Sequence, residues 1–208
     1  NNWKEYFHQF YVDDILITPS WEPVKSKDQG KLLIQIDPGT AFGTGMHETT
    51  QLCIRQIRKY VTEETVLLDV GTGSGILSIA ALKLGAARAL GTDLDPCAIR
   101  ASMENMEVNE IPQEKFQVLE GNLIDDRGVQ EQVGYGQYDM VTANILAEVL
   151  VPLTPVVAQC IKKGGIYITS GIIEEKETVV VDAVRAAGFD VLEVTRQGDW
   201  VSVTARRN

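Results

Sequence analysis

Histidine and cysteine are scarce: the chain has two histidines and three cysteines in 208 residues. Cys53, Cys97 and Cys160 lie far apart with no CxxC pair, and His8 and His47 have no companion of metal-ligand spacing. Neither a disulfide framework nor a metal site is expected, and a reducing compartment follows. Positive charge is also short. Lys and Arg number 19 against 29 Asp and Glu, for a formal net charge of -10. Affinity for phosphates needs clustered Lys and Arg, so no direct nucleic-acid binding is expected. A basic protein partner suits this charge, although many acidic enzymes have none. No apolar run approaches the roughly 20 residues of a membrane span. The opening NNWKEYFHQF has no signal-peptide core, so no membrane partner and a cytoplasmic location are expected. Repeats and low-complexity tracts are missing too, which leaves one α/β domain with a short N-terminal appendage as the default.

What is present is an alternation of strand and helix patterns. After an aromatic-rich opening, Lys31 to Ile36 is strand-like and Asp37-Pro38-Gly39 marks a turn. Leu52, Cys53, Ile54, Ile57, Tyr60 and Val61 recur at helical spacing within Thr49 to Val61. Val66 to Val70 reads as a strand, Ile76 to Leu84 as a helix and Ala87 to Thr92 as a second strand, together one βαβ unit. Pro96 to Val108 is helix, Phe116 to Leu119 and Tyr138 to Ala143 are strands, Ala147 to Ile161 is helix, Ile166 to Ser170 strand and Glu174 to Ala187 helix. Val191 to Thr195 and Val201 to Ala205 are joined by Arg196 to Asp199, too short for a crossover helix and right for a hairpin. The expectation is a doubly wound α/β, Rossmann-like sheet, parallel except for an antiparallel C-terminal edge. A dinucleotide-binding domain continues βα units instead, whereas methyltransferase domains end on such a reversed strand.

Asp69-Val70-Gly71-Thr72-Gly73-Ser74-Gly75 sits where the first strand of that unit passes into a helix. Glycines there let backbone approach a ligand, and the helix N-terminus points at it. The nicotinamide fingerprint GxGxxG would need glycine at Ile76. The GxGxG spacing suits a cofactor without phosphates. One strand on, Asp93 can accept both hydrogen bonds of a ribose diol. Asp95, before Pro96, reads as a helix N-cap. Asp69 reads as an organiser of the glycine turn and of the cofactor's amino end rather than a catalytic base; the plainer alternative is a strand-end carboxylate.

The apolar run Met140 to Ala143 ends in Asn144-Ile145-Leu146-Ala147, which puts an amide at the carboxyl edge of a strand, where ligands of open α/β sheets bind. Methyltransferases acting on nitrogen often place an Asn there, because its carbonyl oxygen accepts from the target amine and aims the lone pair. Capping the helix that begins near Ala147 is the other role open to Asn144, and it could fill both.

Together with Asp37-Pro38-Gly39-Thr40-Ala41-Phe42-Gly43-Thr44-Gly45-Met46-His47-Glu48-Thr49-Thr50, these motifs resemble the ribosomal protein L11 methyltransferase family of bacteria, from about Trp21 to Arg206-Arg207-Asn208. The resemblance implies a seven-stranded class I S-adenosylmethionine-dependent methyltransferase fold. It also implies transfer of methyl groups from S-adenosylmethionine to lysine side chains and the N-terminal amine of that ribosomal protein; separately, a monomer is expected. Carried over by motif, Thr50, Gly71, Gly73, Asp93 and Asn144 are expected at the cofactor, with Asn144 also catalytic. The family pattern usually has Pro where this chain has Glu48. Family members carry a preceding substrate-recruiting domain, so residues 1–29 are expected to be its connecting linker, anchored by Trp3, Tyr6, Phe7, Phe10 and Tyr11, and residues 30–208 the catalytic domain. The segment from Gly39 to Gly45 is expected to act as a lid, and His47 as a structural hydrogen-bonding residue rather than a general base. Competing readings are a methyltransferase for another protein lysine or a small amine, a nicotinamide-dependent oxidoreductase, and a cofactor-binding module without catalysis.

Overall fold

The computed structural model describes residues 7–37 and 45–208. In chain order its elements are β1 (Phe10–Val12), β2 (Ile15–Thr18), β3 (Leu32–Gln35), α1 (Met46–Tyr60), β4 (Val66–Val70), α2 (Ile76–Lys83), β5 (Arg88–Asp93), α3 (Pro96–Val108), β6 (Phe116–Glu120), α4 (Arg127–Val133), β7 (Tyr138–Asn144), α5 (Ala147–Cys160), β8 (Ile161–Ile173), α6 (Glu177–Ala186), β9 (Phe189–Gln197) and β10 (Trp200–Arg207). A seven-stranded sheet runs β6-β5-β4-β7-β8-β10-β9. Strand pairs from β6 across to β8 are parallel.

The sheet has a core on each face because its strands are buried on both sides, with successive side chains sent to opposite layers. Leu67, Met140, Ile166 and Ile168 join one cluster with Ile54 and Ile57 of α1 and Ile79 and Ala80 of α2. Their neighbours Leu68, Val141 and Tyr167 join the other, with Leu150, Leu153 and Val157 of α5 and Val180 and Val184 of α6. Helices therefore cover both faces, which is the doubly wound arrangement expected. The order reverses between β4 and β7: the chain leaves β4 for β5 and β6 on one side, then returns to β7 on the other. That switch point leaves a crevice at the carboxyl ends of both strands.

The antiparallel C-terminal edge forms as expected, through a hairpin with Trp200 opposite Gln197, and the structure adds the order of its two strands. β10 lies inside the sheet, antiparallel to both β8 and β9, and β9 is the edge. Local patterning identifies a hairpin pair without saying which member meets the rest of the sheet, and β10, with Val201 to Ala205 all buried, is the one made for the interior. The N-terminal segment expected as a linker contributes two strands. β1 pairs antiparallel with β2, and β2 pairs in parallel with β3 across the intervening residues, forming a three-stranded sheet whose Val12, Ile15, Ile17 and Ile34 pack into the α1–α2 core. No helix among the described residues is long and apolar enough to cross a membrane.

Candidate active site

A cavity of about 450 Å³ opens at the switch point. Its floor is the turn from β4 into α2. Gly71, Gly73 and Gly75 have φ of 72°, 55° and 84°, the left-handed region that a residue with Cβ enters only under strain. At Gly71 space is closed as well, because a Cβ would stand 2.8 Å from Cγ2 of Ile145. Gly71 and Thr72 donate their amides to the carbonyl of Thr92 at 2.8 and 2.9 Å, so the turn is bound to the end of β5.

Two carboxylates fix this loop. Asp93 accepts from the amide of Gly73 through Oδ2 at 2.9 Å and from the amide of Asp95 through Oδ1 at 3.0 Å, and its side chain lines the cavity. Asp69 lies beneath, 1% exposed. Its Oδ2 accepts from the hydroxyls of Thr72 (2.8 Å) and Ser78 (3.0 Å), and its Oδ1 from Thr142 (3.0 Å). Burial pushes its pKa up to about 6 against the pull of those three donors. Its bonds organise the turn, as the sequence implied, but it is not among the residues that line the cavity, where the cofactor's amino end was also expected to involve it. Asp95 caps α3, accepting from the amide of Cys97 at 2.9 Å.

Asn144 lies across the cavity at the end of β7. It does not cap α5: that position is Leu146, extended at φ −62° and ψ 147°, with no side-chain cap. The Asn144 amide instead donates to Oγ1 of Thr49 at 3.3 Å, while its Oδ1 accepts no hydrogen bond among the described residues. The capping alternative falls because two further residues separate Asn144 from the first turn. Thr50, just past the first turn of α1, is buried at 2% exposure and lines the same cavity. The expected residues Thr50, Gly71, Gly73, Asp93 and Asn144 thus share one cavity.

His47 opens α1 with its ring 4.5 Å from that of Phe10 and 6.0 Å from that of Phe7, and burial lowers its pKa. Gly39, Phe42, Gly43 and Thr44, the body of the expected lid, lie outside the described residues, as do Trp3 and Tyr6. Gly45 is described, at φ 81° with the Trp200 indole where a Cβ would be.

Sequence reasoning missed much of the wall. Phe7 and Phe10 reach the cavity from the N-terminal segment; Leu94, Leu123 and Ile124 flank Asp93; Ile145 and Leu146 flank Asn144. Leu94 and Leu146 are 66% and 64% exposed, an apolar rim whose only sequence signal was a leucine beside each polar site residue. Among the described lining residues Asp93 is the one charged side chain, and none is Lys or Arg.

All 208 residues match the family model described as ribosomal protein L11 methyltransferase (PrmA). The ribosomal protein L11 methyltransferase of Agathobacter rectalis is 52% identical over 210 residues, covering the whole of this chain and 65% of that protein. That of Lachnospira eligens is 51% identical over 208 residues, again covering 65% of its own length. This chain therefore spans a little under two thirds of those curated relatives. The crystal structure of ribosomal protein L11 methylase from Lactobacillus delbrueckii subsp. bulgaricus superposes with a TM-score of 0.85 at 32% identity, over 97% of this chain and 100% of that one.

Proposed function

The chain belongs to the ribosomal protein L11 methyltransferase family, and on that footing we propose that it is the catalytic part of an S-adenosylmethionine-dependent protein N-methyltransferase. Its targets in this reading are lysine side chains and the N-terminal amine of ribosomal protein L11, in the cytoplasm. Residues 30–208 are the catalytic unit, and residues 1–29 connect it to a substrate-recruiting part while packing on it through β2.

The observation that carries the reading is the charge of the cavity. A glycine turn at a helix N-terminus, with a ribose-directed carboxylate one strand over, is built for a nucleoside. Asp93 is the one charged group among the described lining residues, and Ile76 stands where the dinucleotide fingerprint has its third glycine. A nucleoside with no phosphate and a cationic sulfur suits that lining better than a dinucleotide does.

Each side chain then has a task. Asp93 already holds the loop, and each of its oxygens keeps a second lone pair for a ribose hydroxyl. Leu94, Leu123 and Ile124 offer apolar surface to a purine. Gly71 allows close approach of the amino-acid end, with the Thr50 hydroxyl near it. S-adenosylmethionine, when bound, supplies an electrophilic methyl group on its sulfonium. The free Oδ1 of Asn144 accepts an N–H of the incoming neutral amine and turns its lone pair toward that methyl. The apolar rim removes water from the amine, which lowers its pKa, from an ordinary value near 10.4 for a lysine, so that it enters uncharged. What remains is orientation and proximity, worth up to roughly 7 to 11 kcal/mol in favourable cases.

Calorimetry with S-adenosylhomocysteine and NAD, followed by transfer of labelled methyl onto purified ribosomal protein L11, tests the reading. Binding of the first without the second, with label on L11, is expected. NAD binding would return the site to an oxidoreductase, and label on other amines but never on L11 would move the substrate elsewhere.

A further inference from the structure

Ser102 and Asn105 of α3 and Asn109 at its C-cap are spaced three and four apart, so they follow one face of that helix. They would ordinarily be read as its wet side. All three are instead buried, at 0%, 3% and 6% exposure, and a buried amide must find partners or destabilise the fold.

Asn109 accepts from the amide of Gln35 at 3.0 Å and donates to the carbonyl of Gln35 at 2.8 Å. One helical turn back, Asn105 does the same for Asp37, accepting from its amide at 3.1 Å and donating to its carbonyl at 3.0 Å. Four helical residues rise about 6 Å and two extended residues about 6.6 Å, so the two amides meet alternate residues of β3 and its continuation in step. Asn105 differs from Asn109 in its third bond. Its other N–H donates to the carbonyl of Ser74 in the glycine turn at 2.9 Å, whereas that of Asn109 returns to the carbonyl of Asn105 at 2.7 Å. Ser102 adds a bond to the carbonyl of Gly73 at 2.7 Å. Ile36, between the two clamped residues, is one wall of the cavity, and Gly73 and Ser74 are another.

We propose that Asn105 is a positioning residue for the cofactor cavity, setting the gap between the Ile36 wall and the glycine turn by binding both backbones with one amide. The proposal rests on the cofactor reading above. Asn109 has the same side chain, the same helix face and the same number of hydrogen bonds, and it ties α3 to β3 without touching the glycine turn. It is the matched control.

The experiment compares Asn105→Ala and Asn109→Ala for thermal stability and for the Kd of S-adenosylhomocysteine by calorimetry. Both variants are expected to melt lower by similar amounts. Only Asn105→Ala is expected to weaken the ligand, by tenfold or more, with Asn109→Ala within twofold of the parent. Unchanged affinity in Asn105→Ala, or equal weakening in both, would make Asn105 a plain packing amide and overturn the proposal. If Asn105→Ala does not fold, Asn105→Ser, with a smaller packing change, is read by the same criterion. A parent protein that binds no S-adenosylhomocysteine would remove the cofactor reading itself, an outcome distinct from a parent that binds and an Asn105 variant that binds equally well.

Discussion

The two banks of the cavity are built on opposite plans. On the bank of β4 and β5 the groups that shape the glycine turn are held before any ligand arrives: Asp93 holds two amides, Asp69 holds three hydroxyls, and α3 holds the carbonyls of Gly73 and Ser74. On the bank of β7 and α5, Asn144 makes one bond of 3.3 Å to Thr49, keeps Oδ1 open, and is followed by the exposed Leu146. A saturated bank binds something that arrives in one shape, since ordering has already been met in folding. An unsaturated bank keeps an acceptor for a group present only during reaction. The difference supports the proposal that the first bank binds the cofactor and the second carries the chemical step.

The largest test of that division is Asn144→Ala. If Oδ1 acts on the amine only as it is drawn into line, single-turnover methyl transfer should fall about 10²-fold or more, by analogy with the loss of one preorganised catalytic hydrogen bond. The Kd for S-adenosylhomocysteine should change much less. Equal losses in rate and affinity would merge the two banks into one binding surface.

Asp69 lies under both banks, bonded to Thr72 on one side and Thr142 on the other, and its test is pH. Its folded pKa of about 6 stands above the ordinary 3.8, so the folded state holds the proton more tightly than the unfolded state. Its contribution to stability is therefore full below about pH 4 and is lost as pH rises through about 6. At roughly 1.4 kcal/mol per unit the change is about 3 kcal/mol. The stability of the parent relative to Asp69→Asn, which cannot titrate, should decline between pH 4 and pH 6 and then level off. Denaturant melts across that range measure it. A flat or rising difference would mean that the three hydroxyls outweigh burial.

How far these banks could be read from sequence follows the same division. The saturated bank was legible because its signals are local: glycines at fixed spacing, a strand-end carboxylate, and Asp95-Pro96 opening a helix whose bounds, Pro96 to Val108, were read as observed. Its polar clamp was not legible. Asn105 and Asn109 look solvent-facing until β3, some 70 residues earlier in the chain, is folded against them. Asn144 was located, but the choice between cap and open acceptor depended on the extended backbone of Leu146. The strands β1 and β2 escaped because runs of three and four residues, the second buried throughout, are too short to show a period. The helix α4 escaped because RGVQEQV buries only Val129 and Val133.

Asp93→Ala should weaken S-adenosylmethionine by about 1.5 to 3 kcal/mol, the range for hydrogen bonds to a charged acceptor. The Gly73 amide loses its partner in the same variant, so the loop should also loosen, visible as faster hydrogen exchange at Gly73. Calorimetry on the folded variant gives the affinity, and an unchanged Kd would move the ribose contact to another residue.

The smallest effect separates two carboxylates that sit two residues apart at the same strand-to-helix junction. Asp95 accepts from the amide of Cys97 at 2.9 Å, points along α3 and is exposed; Asp93 accepts from the glycine turn and faces the cavity. If position on a bank decides role, Asp95→Ala should cost the helix its cap, about 1 kcal/mol of stability, and leave the cofactor Kd within twofold of the parent. Asp93→Ala should change affinity far more, with a stability loss at least as large because two backbone amides lose their acceptor. The coupling between them is one bond, from the Asp95 amide to Oδ1 of Asp93 at 3.0 Å. Because that bond is made by backbone it survives Asp95→Ala, so the two variants should be nearly additive in stability when combined. Thermal melts and calorimetry on the two single variants and the double variant decide the matter. A loss of affinity in Asp95→Ala comparable to that in Asp93→Ala would show that the start of α3, and not the Asp93 carboxylate alone, holds the ligand, and the saturated bank would then extend one helical turn further than its hydrogen bonds indicate.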